Sequence, residues 1–300
     1  MSRFYDALKE ASRTRLSDPK GGSAFENIAS RMPEENRDRE RHESLVALTA
    51  VAPAGIHSEE IAPEAALTPA EPSAVAVHTH LDHKAPVLPH IADSVVLEHY
   101  RRLRTKLLQE QELRPFRTLM VASPTPEDGK TVTAFNLALS FSMLPYCKVL
   151  LIDGDLRKGS LGKWLGVEGP PGFSNLVEGT ASIEDVVLKS EELPFHFVLK
   201  GSSKLSAAEL LNAPTLKSRM QQMTEGYDFV VVDSPPLMLV TDAQLLAGCC
   251  DASLLVIRAF STTRKAFEQA VHELQPFRVV GTVLNGGTQV AKYRRYNQYY

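Results

Sequence analysis

The spacing of hydrophobic residues changes near residue 90. Before that point, Pro, Ala, Glu and Ser dominate and apolar residues show no lasting period, which is typical of a disordered linker. After it, short continuous apolar runs alternate with helical segments. Strands of this kind are buried on both faces, so the pattern predicts a three-layer α/β domain with a mostly parallel central sheet. At least five runs are expected to be strands, at 118–123, 148–155, 229–236, 252–259 and 279–285.

The same pattern divides the 300 residues into four parts. We expect a short amphipathic helix at 1–16, a disordered linker at 17–92, the folded domain at 93–287 and a flexible tail at 288–300. No apolar run approaches the roughly 18 residues that a membrane span requires. We therefore expect a soluble protein that reaches a membrane only through a partner.

Charge and cysteine content limit the possible partners and the cellular compartment. A net charge of −3 gives no pull toward nucleic acid. The three cysteines have no zinc spacing, and two of them are sequence neighbours, which suits a disulfide framework poorly. These features favour a reducing, cytoplasmic location and no nucleic-acid partner.

Phosphate-binding chemistry follows the first strand. Gly129, Lys130 and Thr131 open a helix there, where backbone N–H groups and the positive helix end face an anion. Lys130 would reach the β- and γ-phosphates of ATP, and the Thr131 hydroxyl would hold Mg²⁺. The candidate nucleotide-binding residues of this loop are Pro126, Glu127, Asp128, Gly129, Lys130, Thr131 and Val132.

This loop departs from the phosphate-loop consensus in two ways. Pro124 stands where the first glycine is usual, and the loop carries Glu127 and Asp128. Acidic side chains repel phosphate unless they point away from it. The position of the motif, between a predicted strand and a predicted helix, nevertheless favours a P-loop NTPase-type domain.

Acidic residues follow two further strands. Asp153 and Asp155 end one strand, and Asp233 ends another. Ligands bind at the carboxyl ends of parallel strands. Carboxylates placed close together repel one another unless a cation lies between them. Mg²⁺ bound to ATP supplies that cation.

The combination resembles the bacterial tyrosine kinases of capsule and exopolysaccharide synthesis, over roughly residues 94–300. Their pattern is a phosphate loop, then apolar residues followed by Asp-x-Asp-x-Arg, here at 150–157, then an apolar strand ending in Asp, here at 229–233. The segment containing Asp242 is also similar. The opening residues resemble those of stand-alone, cytoplasmic members that lack a fused membrane domain.

The resemblance implies a role for each site residue. Lys130, Asp153 and Asp155 are the expected catalytic residues, with Asp153 orienting an incoming tyrosine hydroxyl or accepting its proton. Thr131, Asp155 and Asp233 would hold the metal. Asn285 would contact the adenine.

The resemblance also implies partners. Glu98, Arg101 and Arg104 are spaced three apart on one arc of a helix. They form either an exposed ion-pair ladder or the family's subunit contact in a ring-like homo-oligomer. A separate membrane-embedded activator that regulates polysaccharide chain length and a cognate tyrosine phosphatase are expected as well.

Four of the eight tyrosines lie in the last eight residues. The eight residues from Asn285 to Tyr293 span about 28 Å when extended, enough to reach the site of a neighbouring subunit. Each phosphate adds roughly −1.5 to −2 charges, which would release the tail and dissolve the ring. The predicted phosphoacceptors are Tyr293, Tyr296, Tyr299 and Tyr300.

Two other functions fit the same fold. A positioning ATPase of the MinD and ParA type would carry a second lysine where this chain has Thr125. A nucleotide-bound scaffold without catalysis would use the tyrosines only for docking. The kinase is favoured because the lysine is lacking and the tyrosine cluster is present.

Overall fold

The computed structural model describes residues 72–82 and 94–287. The predicted helix at 1–16 and the tyrosine tail at 288–300 lie outside these residues. The described strands are β1 (Val75–Ala76), β2 (Thr118–Ala122), β3 (Val149–Asp153), β4 (Leu188–Lys189), β5 (His196–Val198), β6 (Phe229–Asp233), β7 (Ala252–Arg258) and β8 (Val279–Asn285).

The strands form one eight-stranded sheet in the order β1-β4-β5-β3-β6-β2-β7-β8. Neighbouring strands are parallel except β4 and β5. The described helices are α1 (Ser94–Leu113), α2 (Lys130–Ser142), α3 (Ser160–Leu165), α4 (Phe173–Glu178), α5 (Ile183–Val186), α6 (Ala207–Leu211), α7 (Leu216–Thr224), α8 (Asp242–Ala247) and α9 (Arg264–Glu273). Among them, none combines the length and the apolar character that crossing a membrane requires.

The core lies around the three central strands and α2. Every residue of β2, β3 and β6 is buried, as expected for strands covered on both faces. Helix α2 is buried along most of its length, and Phe141 stacks on Phe229 with ring centroids 3.7 Å apart. Truncating either ring to alanine would cost about 3–5 kcal/mol of stability.

All five predicted strands are confirmed: the one at 279–285 has the predicted ends, and the others differ from prediction by at most three residues at either end. An unexpected element is β1, which lies inside the segment predicted to be linker. It pairs with β4 in parallel, joining Val75 to Leu188 and Ala76 to Lys189. A two-residue strand is too short to be detected in the sequence, because the alternation of apolar and polar residues becomes visible only over about four residues.

The topology gathers the candidate site at one edge of the sheet. Strands β2, β3, β6, β7 and β8 run parallel, so their carboxyl ends share that edge. The segments that follow these ends carry the phosphate loop, the three aspartates and Asn285.

Candidate functional site

The loop between β2 and α2 is held by its own aspartate. The Asp128 carboxylate accepts hydrogen bonds from the Thr125 N–H and hydroxyl, both at 2.8 Å, and from the Thr262 hydroxyl at 2.7 Å. Asp128 is 1% exposed, and its side chain does not line the cavity described below. The acid that seemed to repel phosphate therefore stabilises the loop instead.

Gly129 begins α2 in the left-handed region, with φ of 101°. The Asn285 side-chain amide donates to the Asp128 carbonyl at 2.9 Å. A Cβ on Gly129 would lie 2.0 Å from Asn285 Nδ2, far inside contact distance. Glycine is thus required both by the backbone angle and by Asn285, whose contact with this loop the sequence did not indicate.

Lys130 lies between two of the predicted carboxylates. Its Nζ is 3.2 Å from Asp155 Oδ2 and 3.5 Å from Asp233 Oδ1. The Thr131 hydroxyl donates to Asp233 Oδ2 at 2.7 Å. Burial alone would lower the pKa of Lys130, but the attraction of Asp233 and Asp155 outweighs it and the pKa is raised. The lysine is therefore a fixed positive charge.

Asp153 is completely buried and does not line the cavity. Its Oδ2 accepts from the Leu161 N–H at 3.2 Å, and its Oδ1 has no hydrogen-bond partner among the described residues. Burial, followed by the charge of Asp233, raises the pKa of Asp153 to about 8. The predicted proton acceptor thus lies behind the cavity wall.

A glycine brings the acidic strand ends together. The Gly154 N–H donates to the Asp233 carbonyl at 2.8 Å. A Cβ on Gly154 would lie 2.7 Å from that same oxygen. The Asp-Gly-Asp spacing therefore reflects close contact between the end of β3 and the end of β6.

The loop opens into a cavity of about 600 Å³, within the range of small-molecule sites. The strand order divides its lining. The wall after β3 and β6 contains Asp155, Arg157, Lys158, Ser160, Trp164, Pro235, Pro236, Leu239 and Val240. The opposite wall, after β7 and β8, contains Arg258, Asn285 and Gly286. The predicted loop residues Pro126, Glu127, Gly129, Lys130, Thr131 and Val132 lie between them.

Sequence reasoning missed two arginines at this site. Arg157 forms a two-pronged ion pair with buried Asp242, at 2.7 and 3.2 Å. Arg258 donates to the Glu127 carbonyl at 2.8 Å. The Asp-x-Asp-x-Arg spacing contained the signal for Arg157, whereas nothing in the sequence around Arg258 indicated its contact with the loop.

The site carries more negative than positive charge at its centre. The carboxylates of Asp155 and Asp233 both contact Lys130. Among the described residues, one carboxyl oxygen of the neighbouring Asp153 is buried without a hydrogen-bond partner. The described residues contain no group of three or more His, Cys, Asp and Glu side chains that would hold a metal unaided. Magnesium in nucleotide sites needs only one or two carboxylates, together with phosphate oxygens and water. The donor set therefore fits Mg²⁺ that arrives with a nucleotide.

Comparison with known proteins relates this chain to bacterial tyrosine-protein kinases. Residues 127–278 match the AAA domain family. The chain is 32% identical over 204 residues to tyrosine-protein kinase YwqD of Bacillus subtilis, covering 67% of this chain and 85% of the relative. This chain belongs to the bacterial tyrosine-protein kinase family.

Solved structures and longer relatives agree with this family. The kinase domain of Escherichia coli tyrosine kinase ETK superposes with a TM-score of 0.62 at 28% identity, covering 68% of this kinase and 82% of that chain. With tyrosine-protein kinase ptk of Acinetobacter johnsonii, 29% identical, the match covers 65% of this chain but only 26% of the relative's length. The positioning-ATPase interpretation is accordingly the weaker one.

The predicted interface residues of the kinase have different surroundings. Glu98 forms ion pairs with Arg101 and Arg102 at 3.8 and 3.4 Å on the exposed face of α1. Arg104 is half-buried and donates to the Ser140 carbonyl of α2. Two of the three residues thus remain available at the surface, while Arg104 is engaged within the chain. The four predicted phosphoacceptors lie outside the described residues.

Proposed function

We propose that this kinase transfers the γ-phosphoryl group of ATP to tyrosine, using Mg²⁺, and that its own terminal tyrosines are acceptors. The observation that carries the proposal is Lys130, which lines the 600 Å³ cavity at the start of a helix and is held between Asp155 and Asp233. Backbone N–H groups, a fixed cation and metal-binding oxygens are the parts that phosphoryl transfer needs.

The strand order suggests how the nucleotide lies. The carboxylates are on the β3 and β6 side of the phosphate loop, so the γ-phosphate belongs there. Asn285 and Arg258 lie on the opposite side, which leaves that wall for the adenosine. Thr131, Asp155 and Asp233 would hold Mg²⁺, which neutralises phosphate charge and supplies Lewis acidity.

An acceptor tyrosine would enter along the β3 and β6 wall. Trp164, Pro236 and Leu239 give this wall an apolar surface for the ring, and Leu239 is 64% exposed. The tyrosine oxygen forms a bond to the γ-phosphorus as the bond from that phosphorus to the β,γ-bridging oxygen breaks. The hydroxyl proton passes to a carboxylate. Asp155 is the carboxylate at the cavity surface and is therefore the proposed acceptor; Asp153, the acceptor expected from the family resemblance, is buried and does not line the cavity.

The cellular role follows from the family resemblance. We propose a ring-like homo-oligomer that phosphorylates Tyr293, Tyr296, Tyr299 and Tyr300 between neighbouring subunits. Exposed Glu98 and Arg101 support a subunit contact on α1. A membrane-embedded activator and a cognate phosphatase would set the phosphorylation level and so regulate capsule or exopolysaccharide synthesis.

Intact-mass measurement after incubation with Mg²⁺-ATP tests the proposal. We expect successive additions of about 80 Da per phosphoryl group. Lys130→Met should abolish them, while Lys204→Met, an exposed lysine outside the cavity, should not. ATP hydrolysis without added mass would instead establish the ATPase switch, and binding without either would establish the scaffold.

A further inference from the structure

Residues 75–82 form an extended segment that is attached to the domain at both ends. The Val75 and Val77 N–H groups donate to the carbonyls of Val187 and Lys189. Val77 and Leu81 pack against the hydrophobic core. Thr79 is 8% exposed, and its hydroxyl donates to Glu192 at 2.7 Å. These residues belong to the same compact unit as the rest of the domain.

The far end of this segment contacts α3. The His80 N–H donates to the Leu165 carbonyl and the Asp82 N–H to the Trp164 carbonyl, both at 2.8 Å. A Cβ on Gly166 would lie 3.1 Å from the His80 carbonyl oxygen, so the two backbones are in close contact. The last turn of α3 is thus held by chain that precedes the domain core.

Helix α3 also contributes side chains to the nucleotide site. Ser160 and Trp164 line the nucleotide cavity, and the Leu161 N–H donates to Asp153. A helix of six residues is too short to hold its own position in water. Its contacts with neighbouring elements must therefore set where Trp164 lies.

We propose that residues 75–82 are a positioning strap, which holds α3 and Trp164 in the geometry that binds nucleotide. The expected effect on nucleotide binding rests on the proposed function, whereas the expected effect on the position of α3 does not. Loosening the strap should expose Trp164 and weaken nucleotide binding without altering Lys130, Asp155 or Asp233.

Two histidine-to-proline variants make a matched test. His80→Pro removes the N–H that donates to Leu165. His78→Pro removes an N–H that falls between the bonded positions of an edge segment, where proline is tolerated. His80→Ala keeps the backbone donor and controls for the side chain. Trp164 is the sole tryptophan, so acrylamide quenching of its fluorescence reports on α3 alone.

We expect stronger quenching and about tenfold weaker binding of methylanthraniloyl-ADP in His80→Pro, with His78→Pro and His80→Ala near wild type. Equal quenching in the two proline variants, or stronger quenching with unchanged ADP affinity, would overturn the strap. If His80→Pro does not fold, Thr79→Val is the deciding variant. We expect it to weaken ADP binding by about threefold, and an unchanged ADP affinity would contradict the proposal. A wild type that binds no nucleotide would reject the proposed function, and quenching alone would then decide the strap.

Discussion

The two walls of the nucleotide cavity differ in how they are built. The wall after β3 and β6 concentrates ionised side chains, with Asp155 facing Lys130 and Arg157 paired with Asp242. The wall after β7 and β8 offers an amide, a backbone carbonyl contact and Arg258. The difference indicates a division of labour, in which the first wall stabilises the charge of the transferred group and the second binds the nucleotide.

Removing a charge from the first wall should have the largest effect. Asp155→Asn takes away a proposed magnesium ligand, so we expect autophosphorylation to fall by about 100-fold or more. Affinity for ADP without magnesium should change by less than about threefold. Asp185→Asn, at an exposed carboxylate that caps α5, is the control. A loss of ADP affinity equal to the loss of rate would contradict the division.

A methyl group in the loop, pressed against Asn285 of the second wall, should have the next largest effect, on ADP binding. Gly129→Ala places Cβ against Asn285 and strains a residue with φ of 101°, so we expect about ten- to 100-fold weaker ADP binding. The double variant with Asn285→Ala relieves the contact but not the strain. The double variant should therefore bind ADP more tightly than the summed free-energy effects of the two single substitutions predict. Strict additivity, measured by titration calorimetry, would show that Asn285 is not the obstacle.

In the absence of nucleotide, neutralising Asp153 should stabilise the folded protein. The native pKa of about 8 exceeds the ordinary value of 3.8, so the native state binds more protons between these values. Stability therefore falls as the pH rises from about 4 to about 8. Asp153→Asn removes this loss, and its melting temperature should exceed that of wild type by several degrees at pH 8. A difference in melting temperature between Asp153→Asn and wild type that stays constant from pH 5 to pH 8 would count against a buried neutral carboxyl group.

The smallest effect is expected at Arg258. Its guanidinium donates to the Glu127 carbonyl from an exposed position, so Arg258→Ala should weaken ADP binding by only about two- to fivefold. Arg264→Ala, an exposed arginine at the start of α9, provides the control. A loss of activity with unchanged ADP affinity would move Arg258 to the chemical role of the opposite wall.

Local sequence pattern was enough to place several of the predicted site residues at strand ends that share one edge of the sheet. The phosphate loop, Asp153, Asp155 and Asp233 were recognisable because each follows a continuous apolar strand, and parallel strands bring such ends to one edge. Side-chain direction was not recognisable in the same way. Asp128 turned into the loop and Arg104 packed on α2, because each contacts a residue distant in sequence, Thr262 and Ser140. Asp153 lay behind the cavity wall, which its position at a strand end did not reveal.

The sequence alone determined the α/β class, the five main strands and the kinase family, because continuous apolar runs and motif spacing are properties of neighbouring residues. The tertiary structure decided which residues share the cavity, why Gly129 and Gly154 cannot carry a side chain, and that residues 75–82 pair with the sheet. Those facts depend on contacts between segments far apart in the chain, for which a single sequence contains no periodic signal.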